Sequence, residues 1–154
     1  MADRDVLLAL ANRCEREEPS AELNKAIYVA SGFCLHEKTT FSGAQSDTGF
    51  TCDDCRADSW GNRSKNGKNQ RLYDNVIAYT TSLDAAVTLV PDDCVWGVDN
   101  FAGTTARIIG GDVTDGWDVY SDVGTTKTPA LALCAAALRA RAALAPAPTP
   151  RDEA

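Results

Sequence analysis

The chain has 154 residues, enough for one domain that buries roughly two thirds of its extended surface, and 44% of them are hydrophobic against 24% charged. That balance is of a globular protein and excludes a disordered or fibrous one, and the longest apolar stretch, residues 130–145, is broken by Arg139 and Arg141, so no membrane span is expected. A net charge of −7 argues against broad non-specific nucleic-acid binding.

A first helix is predicted over residues 3–17, with Leu7, Leu10 and Cys14 on one stripe and Pro19 beyond its end. Ser20 suits the cap of a second helix reaching Ala30, whose inward stripe is Leu23, Ala26, Ile27 and Ala30. Gly32 stands where a helix C-terminal glycine belongs. The opening residues, MADRDVLLALANRCEREE, lack a basic leader and a small-residue cleavage site, so the expected compartment is the reducing cytoplasm of a host cell.

Residues 34–75 are poor in aliphatic side chains and rich in Gly, Ser, Thr, Asn and Asp. An irregular connection of that length is too long for a compact domain, so something must fold it locally. The segment holds Cys34, His36, Cys52 and Cys55, three thiols and the only histidine, in the spacing C-x-H-x15-C-x2-C. Three thiolates and an imidazole are the donors of a closed tetrahedral zinc site, and binding would be coupled to local folding. Cys34 and His36 can converge if the chain is extended, because residues two apart point the same way along a strand. Gly43 and Gly49 would ease the turns. The other reading is scattered reduced thiols without metal. A Cys52–Cys55 redox pair fits less well, because TCDDC is not preceded by a strand and followed by a helix, and its aspartates should raise the thiol pKa. Cys14, Cys94 and Cys134 read as ordinary apolar positions.

Residues 56–71 carry five basic side chains and one acidic, with Arg63, Lys65, Lys68 and Arg71 close to Trp60. They read as a solvated loop, with Trp60 packed on the domain; the alternative is an aromatic with an electrostatic rim for nucleic acid.

Order resumes with a helix over residues 83–90, capped by Ser82 or Thr81, stopped by Pro91, and facing inward through Leu83, Ala86, Val87 and Val90. Strands follow at 94–101 and 104–111, joined by a hairpin connection, and at 117–123. Residues 84–122 hold eight aspartates against one basic residue, Arg107. Asp112 and Asp115 lie between glycines but lack the pattern and closing glutamate of a calcium loop, and so read as a turn. The last helix is capped by Thr128, opens on Pro129 and runs to Leu144 with Leu131, Cys134 and Leu138 as its stripe. Residues 146–154 read as a disordered tail.

The expected fold is therefore α+β: a small antiparallel three-stranded sheet sandwiched between helices, one domain over residues 1–145, with an irregular zinc-stabilised insertion at 33–75. The order α-β-β-β-α is similar to that of a double-stranded RNA-binding domain. Only Lys127 stands where such domains place their basic cluster, so the similarity is one of topology.

The spans AYTTSLDAAVTLVPDD (78–93), with Trp96 after it, and TPALALCAAALRARAAL (128–144) resemble a family of small phage and prophage proteins named for an alpha–beta–alpha sandwich and common around alphaproteobacterial phages. The matching residues are Tyr79, Ser82, Leu83, Asp84, Ala85, Ala86, Leu89, Val90 and Pro91, then Pro129, Ala130, Leu131, Ala132, Cys134, Ala136 and Leu138. The resemblance implies a helix–sheet sandwich and a phage-related origin, and no activity.

The functional expectation is a non-enzymatic phage accessory protein that binds a host or phage macromolecule, a protein before a nucleic acid, with zinc (Zn2+) in a structural role. Its oligomeric state is not legible. The acidic strand region, Asp92, Asp93, Asp99, Asp112, Asp115, Asp118 and Asp122, is the expected face for a basic partner. Two alternatives stay open: a nucleic-acid-binding protein using the basic loop 56–71, and a metal-dependent hydrolase or nuclease.

Overall fold

The computed structural model describes residues 2–44, 47–58, 70, 75–99, 104–110, 118–126 and 128–145, with backbone alone for 42–44, 47–48 and 118–126. These residues form a mixed α+β structure in the order α1 (Arg4–Arg16), α2 (Ala21–Ala30), β1 (Thr39–Ala44), β2 (Asp47–Cys52), α3 (Leu83–Val87), β3 (Val95–Asp99), β4 (Thr104–Gly110), β5 (Asp118–Thr126) and α4 (Pro129–Leu144). No described helix is long and apolar enough to cross a membrane. The tail at 146–154 and the connection at 100–103 lie outside the described residues.

Helix α4 is the centre of the core. Its sequence is almost wholly alanine and leucine, the strongest helix formers. The Thr128 hydroxyl accepts from the Leu131 N–H at 3.2 Å, and Pro129 occupies a position that needs no donor. At the other end Ala145 is extended, φ −65° and ψ 135°, as a residue before a proline must be. Residues Ala130 to Leu138 are all buried, and Ala140 and Ala142 with them. A stripe of Leu131, Cys134 and Leu138 was expected; burial instead extends round the whole helix, because α1, the sheet and α3 all pack on it. The alanines permit this close approach from every side.

Strands β3, β4 and β5 form an antiparallel sheet in that order. Ala106 and Ile108 of β4 are buried in the core with α4, and Val98 of β3 packs beside them. The other face is open among the described residues: Val95 is 61% exposed, Arg107 is exposed, and a Cβ added to Gly97 would meet nothing within 4 Å. The layering is thus sheet on helix on helix, with α4 in the middle, rather than a sheet between helices. Helix α3 is shorter than expected. Three i→i+3 bonds, from the N–H groups of Thr88, Leu89 and Val90, tighten its end before Pro91. This winding buries Leu89 and leaves Leu83, expected to face inward, 37% exposed.

Two elements prepare the cysteine-bearing region. Ser20 caps α2 by accepting from the Leu23 N–H at 3.1 Å. The helix ends at Gly32, whose φ of 87° allows the N–H groups of Gly32 and Phe33 to reach the carbonyls of Val29 and Tyr28, a Schellman closure. The turn sends Phe33 back over α2, where its ring stacks on Tyr28 at a centroid distance of 4.6 Å. A Gly32→Ala substitution places a Cβ in a left-handed residue and should cost about 1–2 kcal/mol, read as a lowered urea midpoint at unchanged m-value.

Residues 34–75 were expected to be irregular. They contain an antiparallel hairpin, β1–β2, in which Thr39 pairs with Cys52 and Phe41 with Phe50. Gly43 and Gly49 lie inside these strands and serve no turn around the cysteines. The strands are short, polar and threonine-rich, so they lack the aliphatic alternation by which strands are recognised. The hairpin packs against none of the other described elements.

Candidate metal centre

The ligand atoms of Cys34, His36, Cys52 and Cys55 all lie within 4.8 Å of one another. Two come from the loop after α2 and two from the end of β2 and the turn beyond it. Cys52 and Cys55 are buried, and Cys34 and His36 are half-buried.

The turn at 52–58 is built from its backbone. The Arg56 N–H donates to the Cys52 carbonyl at 3.0 Å, and the Cys52 N–H to the Ala57 carbonyl at 2.8 Å. Thr51 and Asp58 form an antiparallel bridge, so the chain folds back beside β2. The Asp53 N–H donates to the Lys38 carbonyl at 3.0 Å, fastening the turn to the start of β1. Three described non-glycine residues have positive φ, and two of them, His36 at 56° and Arg56 at 65°, are in this region. Such a conformation costs about 1–2 kcal/mol and persists only where surrounding structure imposes it.

His36 reaches the cluster in a different way from the one expected. Its left-handed backbone turns the loop, and its N–H points at the Cys34 sulfur 3.4 Å away; the two side chains converge across a turn and not along a strand. The Cys52 sulfur lies 3.5 Å from that of Cys34, and the Cys55 sulfur 3.4 Å from His36 Nδ1. Zn–S bonds of about 2.3 Å and Zn–N bonds of about 2.0 Å set tetrahedral edges of about 3.8 Å between sulfurs and about 3.5 Å between sulfur and nitrogen. These two spacings are close to those edges, the others lie within 4.8 Å, and the Cys34–Cys52 separation far exceeds a disulfide bond of about 2.05 Å. All six cysteines are free.

The surroundings favour thiolate at one position. Burial pushes the Cys52 thiol up, but the N–H groups of Cys55 and Asp54, with His36 and Cys34, outweigh it and bring the thiol down to about 7. The expectation that neighbouring aspartates would raise this thiol fails there, because the backbone N–H groups of Cys55 and Asp54 point at the sulfur. Burial dominates at the other two, pushing Cys34 up to about 12 and Cys55 upward, with the Ala57 N–H opposing the latter. A cation among them would reverse that preference, since a coordinated thiol is deprotonated. His36 Nε2 is buried with no hydrogen-bond partner among the described residues, an orphan that ligation or a lost outer partner would explain.

Gln70 was not recognised from sequence. It is 2% exposed; its carbonyl accepts from the Cys34 N–H at 2.9 Å, and its amide donates to the Cys34 carbonyl at 2.6 Å and to the Tyr28 hydroxyl at 2.8 Å. It pairs with Cys34 as a neighbouring strand would and ties the cluster to α2. Nothing in GNRSKNGKNQR distinguishes it from the polar residues around it. Outer contacts of this kind typically change metal affinity about 10–100-fold, so Gln70→Ala should weaken zinc binding by that factor in a chelator competition, at unchanged stoichiometry.

The other singled-out residues are placed as follows. Cys14 and Cys134 are buried in the helical core, and Cys94 is half-buried just before β3. Trp60, Arg63, Lys65, Lys68, Arg71, Asp112 and Asp115 lie outside the described residues. Asp92, Asp93 and Asp99 are exposed. In the sheet register Asp118 and Asp122 pair with Gly110 and Ala106, whereas Asp99 pairs with Thr105, a position of opposite parity in β4. No family model, no curated protein and no solved structure matches the chain.

Proposed function

We propose that the chain is a non-enzymatic binding protein in which zinc, held by Cys34, His36, Cys52 and Cys55, fastens the β1–β2 hairpin and the turn after it to the helical core. The observation that carries this reading is the convergence of four ligand atoms at the base of a hairpin that packs on no other described element. The buried residues there are Cys52, Cys55 and Ala57, with Cys34 packed against them, too little apolar surface to hold a substructure in water. Four protein ligands complete a tetrahedral shell and leave no place for a water or substrate, which favours a structural over a hydrolytic role. His36, the only histidine, is consumed in the same set.

The bound macromolecule is a protein of host or phage origin in this reading, and the phage assignment rests on the sequence resemblance over residues 78–144. Elemental analysis of protein purified without added metal or chelator tests the zinc: about one equivalent per chain is expected, and none would overturn the reading. Capture from host lysate tests the partner. Charge-neutral variants of Asp92, Asp93 and Asp99 should lose it if the exposed aspartates are the contact, and unchanged capture would remove that face. The alternative, nucleic-acid binding through residues 56–71, rests on the basic charge of that segment alone. It predicts affinity that falls steeply with salt and with neutralisation of Arg63, Lys65, Lys68 and Arg71.

A further inference from the structure

We infer that this cluster is a peroxide-sensitive release device, in which oxidation joins Cys34 to Cys52 and lets the metal go. The inference rests on the reading of the four residues as zinc ligands. Three observations carry it. A cavity of about 420 Å³ opens beside the cluster and is lined by Cys34, His36 and Cys55, so a small oxidant reaches these groups without unfolding. Cys34 is half-buried, whereas Cys52 is fully buried and does not line the cavity. The two sulfurs are 3.5 Å apart and must close to about 2.05 Å to bond. Gln70 holds the backbone of Cys34, so the closure falls to the two cysteine side chains.

The chemistry balances with hydrogen peroxide as the oxidant. The Cys34 sulfur attacks one peroxide oxygen; an S–O bond forms, the O–O bond breaks, and hydroxide leaves and is protonated by solvent. The Cys52 thiolate then attacks the Cys34 sulfur, the S–S bond forms, the S–O bond breaks, and a second hydroxide leaves. The two thiolates lose two electrons and the peroxide gains them, ending as two waters. His36 and Cys55 remain as two ligands, too few to hold the metal, while the new disulfide keeps the loop after α2 joined to the end of β2. Elsewhere, Cys14 and Cys134 are buried, and Cys94 is held protonated by burial and Asp93, so these are poor competitors for the oxidant.

The test uses the full chain as purified, with its zinc content measured first. Addition of hydrogen peroxide in the presence of a chromogenic zinc chelator should release about one equivalent of zinc per chain. The mass of the metal-free chain should fall by about 2 Da, and peptide mapping should show Cys34 linked to Cys52. A phosphine reductant with added zinc should restore the starting state, and a Cys94→Ser variant should respond like the parent. Zinc retained under peroxide, a linkage that lacks Cys34, or a response lost in Cys94→Ser would each overturn the inference. A chain without zinc at the outset would instead overturn the ligand assignment on which it rests.

Discussion

Replacing Cys52 and Cys55 together by serine should take bound zinc from about one equivalent per chain to near zero, and unfold the hairpin while leaving the helices in place. Structural zinc sites contribute on the order of 10–16 kcal/mol of apparent binding free energy in small domains, and here that energy acts on a region with almost no apolar core of its own. The strained backbones of His36 and Arg56 would relax once the four side chains were no longer drawn together. The core of α1, α2, α3, α4 and the three-stranded sheet shares none of the four ligands. Hydrogen exchange separates the two parts. The amides of Cys52, Asp53 and Arg56, which donate to the carbonyls of Ala57, Lys38 and Cys52, should lose protection in the variant, and amides within α4 should keep it. Equal loss in both would show that the cluster and the helical core fold as one unit. A strong chelator added to the parent should reproduce the variant.

The second large effect is expected in α4. Truncating Leu131, fully buried near the start of the helix, should cost about 2–5 kcal/mol through lost burial and the cavity left behind. Enlarging Ala135 to leucine should also destabilise, by about 1–3 kcal/mol, because a helix packed on every side has no free face toward which the extra atoms can move. On a helix with a single buried stripe, some alanine positions would accept leucine without loss. The paired substitutions therefore test the central placement of α4 and not only its burial. Thermal unfolding is an adequate readout, at roughly 2–4 °C per kcal/mol for a chain of this size. Neither substitution should change zinc content.

Much of the helical part was legible from local chemistry. Ser20, Ser82 and Thr128 are cap residues whose side chains accept from the first turn of each helix, and that signal lies within four residues of sequence. Gly32 marked the end of α2 because only a left-handed residue closes the turn there. The four metal-ligand candidates were legible as a donor set because Cys and His are rare, and because a long polar segment needs something to fold it.

Other features depend on contacts distant in sequence. That α4 is buried all round follows from what packs on it, and an alanine-rich helix reads the same whether one face or every face is covered. The strands β1 and β2 carry strand-favouring threonines and phenylalanines, but no aliphatic alternation marks them in sequence; their pairing shows only where the Asp53 amide meets the Lys38 carbonyl and the cysteines meet at the hairpin base. Gln70 acquires its role only when the chain returns to lie beside Cys34, and the Cys52 thiol is lowered because backbone N–H groups, which no sequence pattern displays, point at its sulfur. The sequence by itself determined where the helices begin and which four side chains can hold a metal, because both are set by residue type at short spacing. The tertiary structure alone decided that those four side chains meet, and that α4 stands between the sheet and α1, because both depend on the direction in which distant segments approach one another.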